Sequence, residues 1–148
     1  MSGYMDGWVE FNRRYPTLIE AIGERCFLEK LSELITYIVD YESLVVIGFG
    51  NERTPILIYN DTNFFSEQSR DKEFMNALVL DPFYQLIRRG VREGVYKLDE
   101  IAPDDFYQSD YYRQIYKKTG IQQEVGLIVT CTEEFTLVLS AGLRGKPR

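Results

Sequence analysis

The stretch Leu80-Asp81-Pro82-Phe83-Tyr84-Gln85-Leu86-Ile87-Arg88-Arg89-Gly90 opens the half of the chain that decides the fold. It predicts a short helix, because Asp81 is a favourable N-cap and Pro82 suits the first helical position. Gly90 is expected to end this helix, since glycine readily adopts the left-handed conformation found after helix C-termini.

The remainder of this half alternates between predicted strands and predicted helices. Gly94 leads into a strand over 95–98, and Pro103 precedes a short helical turn. Ser109 is a plausible N-cap for a helix over 110–118 that stops at Gly120. Two apolar runs at 124–131 and 135–141 flank Thr132-Glu133-Glu134 and predict a hairpin.

The first half contributes helices and another hairpin. Pro16 and Thr17 offer a helix start, and apolar residues three and four apart predict a longer helix over 26–41. The run 43–50 is rich in β-branched residues, and the run 54–60 follows it after a turn, as expected for paired strands. Residues 61–71, with Phe64 and Phe65, are expected to form a loop or a short helix over the sheet.

These elements predict an α+β fold of the α/β/α sandwich type, with about five strands in one largely antiparallel sheet. The early helices are expected on one face and the central helices on the other. The predicted organisation is an N-terminal arm over 1–15, one domain over 16–142, and a basic, glycine-containing linker from 143 to 148 that leads to a further domain.

Composition excludes several functional classes. The formal net charge of −6 argues against nucleic-acid binding by this segment, because phosphate backbones require a basic surface. No signal peptide or membrane-spanning run is visible, and the two cysteines, Cys26 and Cys131, fit a reducing, cytoplasmic location. Without histidine or a CxxC spacing, the sequence predicts no metal site and no cofactor.

The enzyme hypotheses have little support. The chain lacks histidine, the usual general base near neutral pH, and contains neither a GxSxG motif nor a phosphate-binding glycine loop. A thiol enzyme stays open, because Cys26 falls at a predicted helix start, where a thiolate can be stabilised. The expectation is that the domain is not an enzyme.

Aromatic side chains carry the binding hypothesis. They make up 14% of the chain, with 11 tyrosines, and buried phenols require hydrogen-bond partners. Core packing explains any one of them, but the whole set favours a partly polar cavity between sheet and helices. The candidate ligand-binding residues are Phe49, Tyr59, Phe83, Tyr84, Tyr96, Tyr111 and Tyr112.

The stretch from Asp81 to Gly142 resembles the N-terminal sensor domain of LuxR-type helix-turn-helix transcription regulators. The similar segments, in order, are Leu80-Asp81-Pro82-Phe83-Tyr84, Gly94-Val95-Tyr96-Lys97-Leu98, Ala102-Pro103-Asp104-Asp105-Phe106, Ser109-Asp110-Tyr111-Tyr112, Thr119-Gly120, Glu124-Val125-Gly126 and Leu137-Val138-Leu139-Ser140. The resemblance implies a GAF- or PAS-like ligand-binding fold, a cytoplasmic regulator, a tendency to form homodimers, and a DNA-binding domain outside this chain.

The leading hypothesis is therefore a sensor domain that binds an unknown small cytoplasmic molecule, with no membrane partner and with DNA contacted only through the absent domain. The alternatives are the same fold with a solid core, used only for dimerisation, and the thiol enzyme.

Overall fold

The computed structural model describes residues 2–51, 54–61 and 72–144. The chain divides into two compact units, Met1–Tyr41 and Glu42–Arg148. The predicted loop around Phe64 and Phe65 and the last four residues of the predicted linker lie outside the described residues.

The first unit consists of two helices, α1 (Ser2–Glu20) and α2 (Phe27–Ile35). The prediction that a helix begins at Pro16 is wrong, because α1 continues through Pro16 from its start at Ser2. Proline removes one backbone hydrogen bond, but neighbouring contacts hold the helix: Trp8 packs edge-on against Phe11, and Phe11 stacks with Tyr15 at centroid distances of 5.6 and 5.9 Å. The predicted boundary between 15 and 16 thus falls inside a continuous helix.

The second predicted helix is shorter than expected. α2 ends at Ile35 rather than continuing to 41, and the Tyr41 hydroxyl donates back to the main-chain carbonyl of Ser32. This contact turns the chain against α2, and the helical spacing of Ile35 and Ile38 could not reveal it.

The second unit contains five strands and several short helices. The strands are β1 (Ser43–Gly50), β2 (Ile56–Asn60), β3 (Glu93–Lys97), β4 (Ile121–Thr132) and β5 (Phe135–Arg144). The helices are α3 (Lys72–Ala77), a 3₁₀ turn (Leu78–Leu80), α4 (Pro82–Arg88), α5 (Leu98–Ile101), a second 3₁₀ turn (Phe106–Gln108), a π-helix (Tyr112–Tyr116) and α6 (Lys117–Thr119).

The strands form one sheet in the order β2-β1-β5-β4-β3, and every pairing is antiparallel. This confirms the predicted α+β fold with a five-stranded antiparallel sheet and both predicted hairpins. β5 extends to Arg144, whose partner in β4 is Ile121, so the first two residues of the predicted linker belong to the sheet. Placement of the early helices on the second face of the sheet stays a prediction.

The register determines which side chains face the short helices. Val45 pairs with Ser140 and Ile47 with Val138 across β1 and β5, and Ile128 pairs with Val138 across β4 and β5. These positions share one face, which carries the core together with Phe83, Leu98 and Phe106 from the helices. Val125 and Leu127 alternate with this set on β4 and are exposed.

The predicted helix ends are largely confirmed. The backbone N–H of Phe83 donates to Asp81 Oδ1 at 2.8 Å, and Pro82 occupies the first turn of α4. The N–H of Tyr112 donates to Ser109 Oγ at 3.1 Å. Gly90 and Gly120 have φ of 101° and 74°, the left-handed conformation that glycine adopts without a Cβ penalty.

Candidate ligand-binding cavity

A cavity of about 40 Å³ lies between the inner face of the sheet and the helices of the second unit. Most of its wall is apolar, and its polar groups are carboxyls and hydroxyls. The lining residues are Ser43, Val45, Ile47, Phe49, Leu78, Asp81, Tyr111, Ile115, Tyr116, Thr119, Ile121, Glu124, Val138, Ser140 and Gly142. The cavity has room for water, but it is far smaller than the ~300–1,000 Å³ of typical small-molecule pockets.

Asp81 is the best-connected polar group of the cavity. As the N-cap of α4 it accepts from the Phe83 N–H through Oδ1. Its Oδ2 accepts from the hydroxyls of Tyr111 at 2.7 Å and Tyr116 at 3.2 Å. Burial raises the pKa of Asp81, because the charged form is desolvated, and these hydrogen bonds oppose the rise.

The π-helix brings the two tyrosines to the same carboxyl group. At 3.6 residues per turn, residues five apart point to different sides of an α-helix. The wider i→i+5 turn over Tyr112–Tyr116 places Tyr111 and Tyr116 on one side. Phe106 packs edge-on against Tyr116 at 5.4 Å and fixes the ring. Burial raises the pKa of both phenols well above the ordinary value, so both remain donors.

Glu124 supplies the second buried carboxyl. It lies on β4 in phase with Gly126 and Ile128, and all three are buried. Burial, and next the repulsion from Asp81, raise the pKa of Glu124 to about 8. Interactions with the hydroxyls of Tyr116 and Ser140 favour the charged carboxylate and oppose this rise of its pKa. At neutral pH this group is therefore mostly protonated and neutral.

The arrangement combines hydrogen-bonding groups with apolar side chains. Within the part of the chain that the structure describes, no group of three His, Cys, Asp or Glu side chains could hold a metal ion. Asp81 and Glu124 provide acceptor oxygens, and Val45, Ile47 and Val138 provide apolar contacts. Such a cavity can recognise a small molecule with hydrogen-bond donors and a short apolar body.

Two of the seven predicted ligand-binding residues, Phe49 and Tyr111, line this cavity. Tyr84 stacks on Phe49 at 4.7 Å and lines a separate cleft of about 570 Å³ beside the β4–β5 turn. Phe83 is fully buried against the backbone of Gly126 and belongs to the core.

The other three lie farther from the cavity wall. The Tyr96 ring folds over the backbone of Gly94, and Tyr112 packs edge-on against Phe106 at 5.6 Å. Tyr59 lines a surface cleft along β2. The structure thus separates the predicted set into cavity, core and surface positions, and ligand contact by any of its members stays a prediction.

Sequence reasoning missed the polar half of the cavity. The sequence predicts Asp81 only as a helix cap, and the candidate set of ligand-binding residues does not include Tyr116, Glu124 or Ser140. The alternation of buried and exposed positions along β4 could have revealed it, because Glu124 lies on the same inward-facing side of the strand as Gly126 and Ile128. An acidic residue in a buried strand phase requires an explanation, and here the explanation is the cavity.

Comparison with known proteins relates this geometry to transcription regulators. No protein-family model matches the chain. A stretch of 62 residues, 42% of the chain, is 36% identical to a protein of Aeromonas salmonicida named "Putative HTH-type transcriptional regulator in exeN 3'region". The matched stretch spans 31% of that protein, less than a third of its length.

The fold is similar to the crystal structure of the VqsR ligand-binding (LBD) domain from Pseudomonas aeruginosa. The TM-score is 0.77 at 25% sequence identity, and the match covers 92% of this chain and 81% of that one. Together the two similarities indicate a regulatory sensor domain. Among the described residues, no helix is both long enough and apolar enough to span a membrane.

Proposed function

We propose that the chain is the ligand-sensing domain of a LuxR-type transcription regulator, with a GAF- or PAS-like fold and no catalytic role. A small cytoplasmic molecule binds in the cavity between sheet and helices and favours one arrangement of the helices. A DNA-binding domain outside this chain reports that change, and the domain acts as a homodimer.

The observation that carries this proposal is the cavity itself. Packed cores contain few voids larger than a water molecule, and those that stay empty are apolar. Here the described lining of the void includes two carboxyls and five hydroxyls, those of Ser43, Tyr111, Tyr116, Thr119 and Ser140. Burying so many polar groups is costly, and a binding role explains why they face an open space rather than solvent.

The volume of about 40 Å³ limits the size of a ligand that fits without movement of the wall. A ligand larger than a few atoms requires the helices over the sheet to move outward. The wall contains two elements suited to this, the 3₁₀ turn Leu78–Leu80 and the π-helix Tyr112–Tyr116, because such segments often mark hinges and functional sites.

A thermal-shift screen of a metabolite library tests the proposal, with two matched variants. Val45→Phe directs a ring into the cavity, whereas Val125→Phe adds the same ring on the exposed phase of β4. We expect at least one compound to stabilise the wild type and Val125→Phe but not Val45→Phe. Equal stabilisation of all three proteins, or of none, would contradict the proposal.

The cavity volume also favours a second candidate, a dimerisation module that binds no ligand. Apolar side chains on α1 and just beyond its end support it, since Met5, Val9, Ile19 and Ile22 are exposed. Light scattering with size-exclusion chromatography would then show a dimer whose melting temperature no compound shifts.

A further inference from the structure

We infer that the cavity binds a small primary alkylamine, with the ammonium group held by Glu124 and the alkyl group against Val45, Ile47 and Val138. This inference rests on the proposed sensor function and specifies the chemical class of its ligand.

The first step of the argument is the sign of the charges. Among the described residues that line the cavity, Asp81 and Glu124 carry the carboxyl groups, and none is a lysine or an arginine. The chain also contains no histidine. In their deprotonated form these carboxyls would repel an anionic ligand, whereas an ammonium group would pair with them.

The second step is the count of hydrogen-bond donors. Asp81 already accepts three hydrogen bonds, from Phe83 N–H, Tyr111 and Tyr116. The hydroxyls that interact with Glu124 are those of Tyr116 and Ser140, and the Tyr116 hydroxyl already donates its single proton to Asp81. A carboxylate has about four lone-pair positions, so Glu124 retains accepting capacity, and an ammonium group carries three donors.

The third step is the shape of the cavity. The groups that face Glu124 are Asp81 at the start of α4, Tyr111 and Tyr116 on the helix, and Ser140 on β5. Apart from the hydroxyls of Ser43 and Thr119, the remaining described wall is apolar, and the volume of about 40 Å³ limits the alkyl group to a few carbons unless the helices move outward. An ammonium head with a short alkyl body matches a space that combines carboxyl groups with apolar side chains.

Binding requires a proton to leave. The raised pKa of Glu124, about 8, means that the carboxyl is mostly protonated at pH 7, so formation of the ammonium–carboxylate pair releases one proton from Glu124 to solvent. The affinity is therefore expected to rise about tenfold per pH unit below pH 8 and to level off above it.

The test compares three probes of similar size, n-butylammonium, n-butanol and butyrate, by calorimetry and thermal shift on the 148-residue chain. We expect only n-butylammonium to bind at millimolar concentration, with tighter binding at pH 8 than at pH 7. Calorimetry in two buffers of different ionisation enthalpy should show release of about one proton.

Two variants locate the charge. Glu124→Gln keeps the size of the side chain and should weaken n-butylammonium binding at least tenfold, whereas Glu133→Gln, in the exposed turn, should not change it. Equal binding of butanol, no proton release, or equal effects of the two variants would overturn the inference.

The outcomes also separate this inference from the sensor function. If n-butylammonium does not bind while a library compound stabilises the wild type but not Val45→Phe, the inference falls and the sensor function stands. If no compound passes, both fall.

Discussion

At the scale of single residues, the buried acids make stability depend on pH. Glu124 has an ordinary pKa of 4.5 that the fold raises to about 8, and burial raises the pKa of Asp81 in the same direction. A raised pKa means that the folded state holds the proton more tightly than the unfolded state. The resulting stability is fully present below about pH 4.5 and is lost as the pH rises toward 8.

The variant Glu124→Gln removes the part of this dependence that comes from Glu124. Between pH 5 and pH 8 the wild type should lose on the order of a few kcal/mol from this group, and the variant should show a flatter profile. Urea unfolding at several pH values measures the difference, with the exposed Glu133→Gln as the control. A wild-type profile that is already flat, or a variant profile that falls as steeply, would show that Glu124 does not bind a proton on folding.

Asp81 combines two roles that a second variant tests. Asp81→Ala removes the cap of α4 and leaves the hydroxyls of Tyr111 and Tyr116 without their acceptor, so we expect a loss of about 2–4 kcal/mol in the free energy of unfolding. Asp105→Ala is the matched control, because Asp105 precedes a 3₁₀ turn without a side-chain cap bond. Denaturant titration of both variants should separate them, and similar losses would contradict the assigned role of Asp81.

At the scale of elements, α4 and β4 meet at one close contact. A Cβ built on Gly126 would lie 2.3 Å from Phe83 Cε1, and Phe83 is only 1% exposed. The ring therefore rests directly on the backbone of β4, and only glycine leaves room for it. This contact fixes the distance between α4 and the sheet, and with it the position of Asp81 in the cavity.

Gly126→Ala should lower the free energy of unfolding by about 1–3 kcal/mol, because the Phe83 ring must move within a packed core. Gly3→Ala in α1 is the control, since a Cβ there meets nothing within 4 Å, and alanine should be neutral or stabilising. Combining Gly126→Ala with Phe83→Leu should recover part of the loss. If Gly126→Ala is as stable as the wild type, the contact does not position α4.

The elements also show what the sequence could and could not reveal. The caps at Asp81 and Ser109, the stops at Gly90 and Gly120, and both hairpins follow local rules, and the structure confirms them. The helix through Pro16 and the early end of α2 depend on packing that no local pattern encodes. The π-turn is similar: nothing in Tyr111–Tyr116 predicts the wider turn that aligns the two hydroxyls.

At the scale of the whole molecule, the antiparallel sheet and the short helices form a cavity whose polar groups come from distant parts of the chain. Asp81, Tyr116, Glu124 and Ser140 lie on four different elements or element ends and converge only through the fold. Aromatic content led to the prediction of a cavity between sheet and helices, and of the seven predicted rings Phe49 and Tyr111 line the cavity. The carboxyls beside the cavity give it a chemical preference that composition did not suggest.

The central claim is that this cavity takes up a small molecule, and native mass spectrometry tests it directly. The purified chain and its Val45→Phe and Val125→Phe variants are incubated with the small-molecule fraction of a cell extract and compared. The account predicts a discrete mass increment on the wild type and on Val125→Phe, lost under denaturing conditions and absent from Val45→Phe. The absence of any increment, or the same increment on all three proteins, would contradict it.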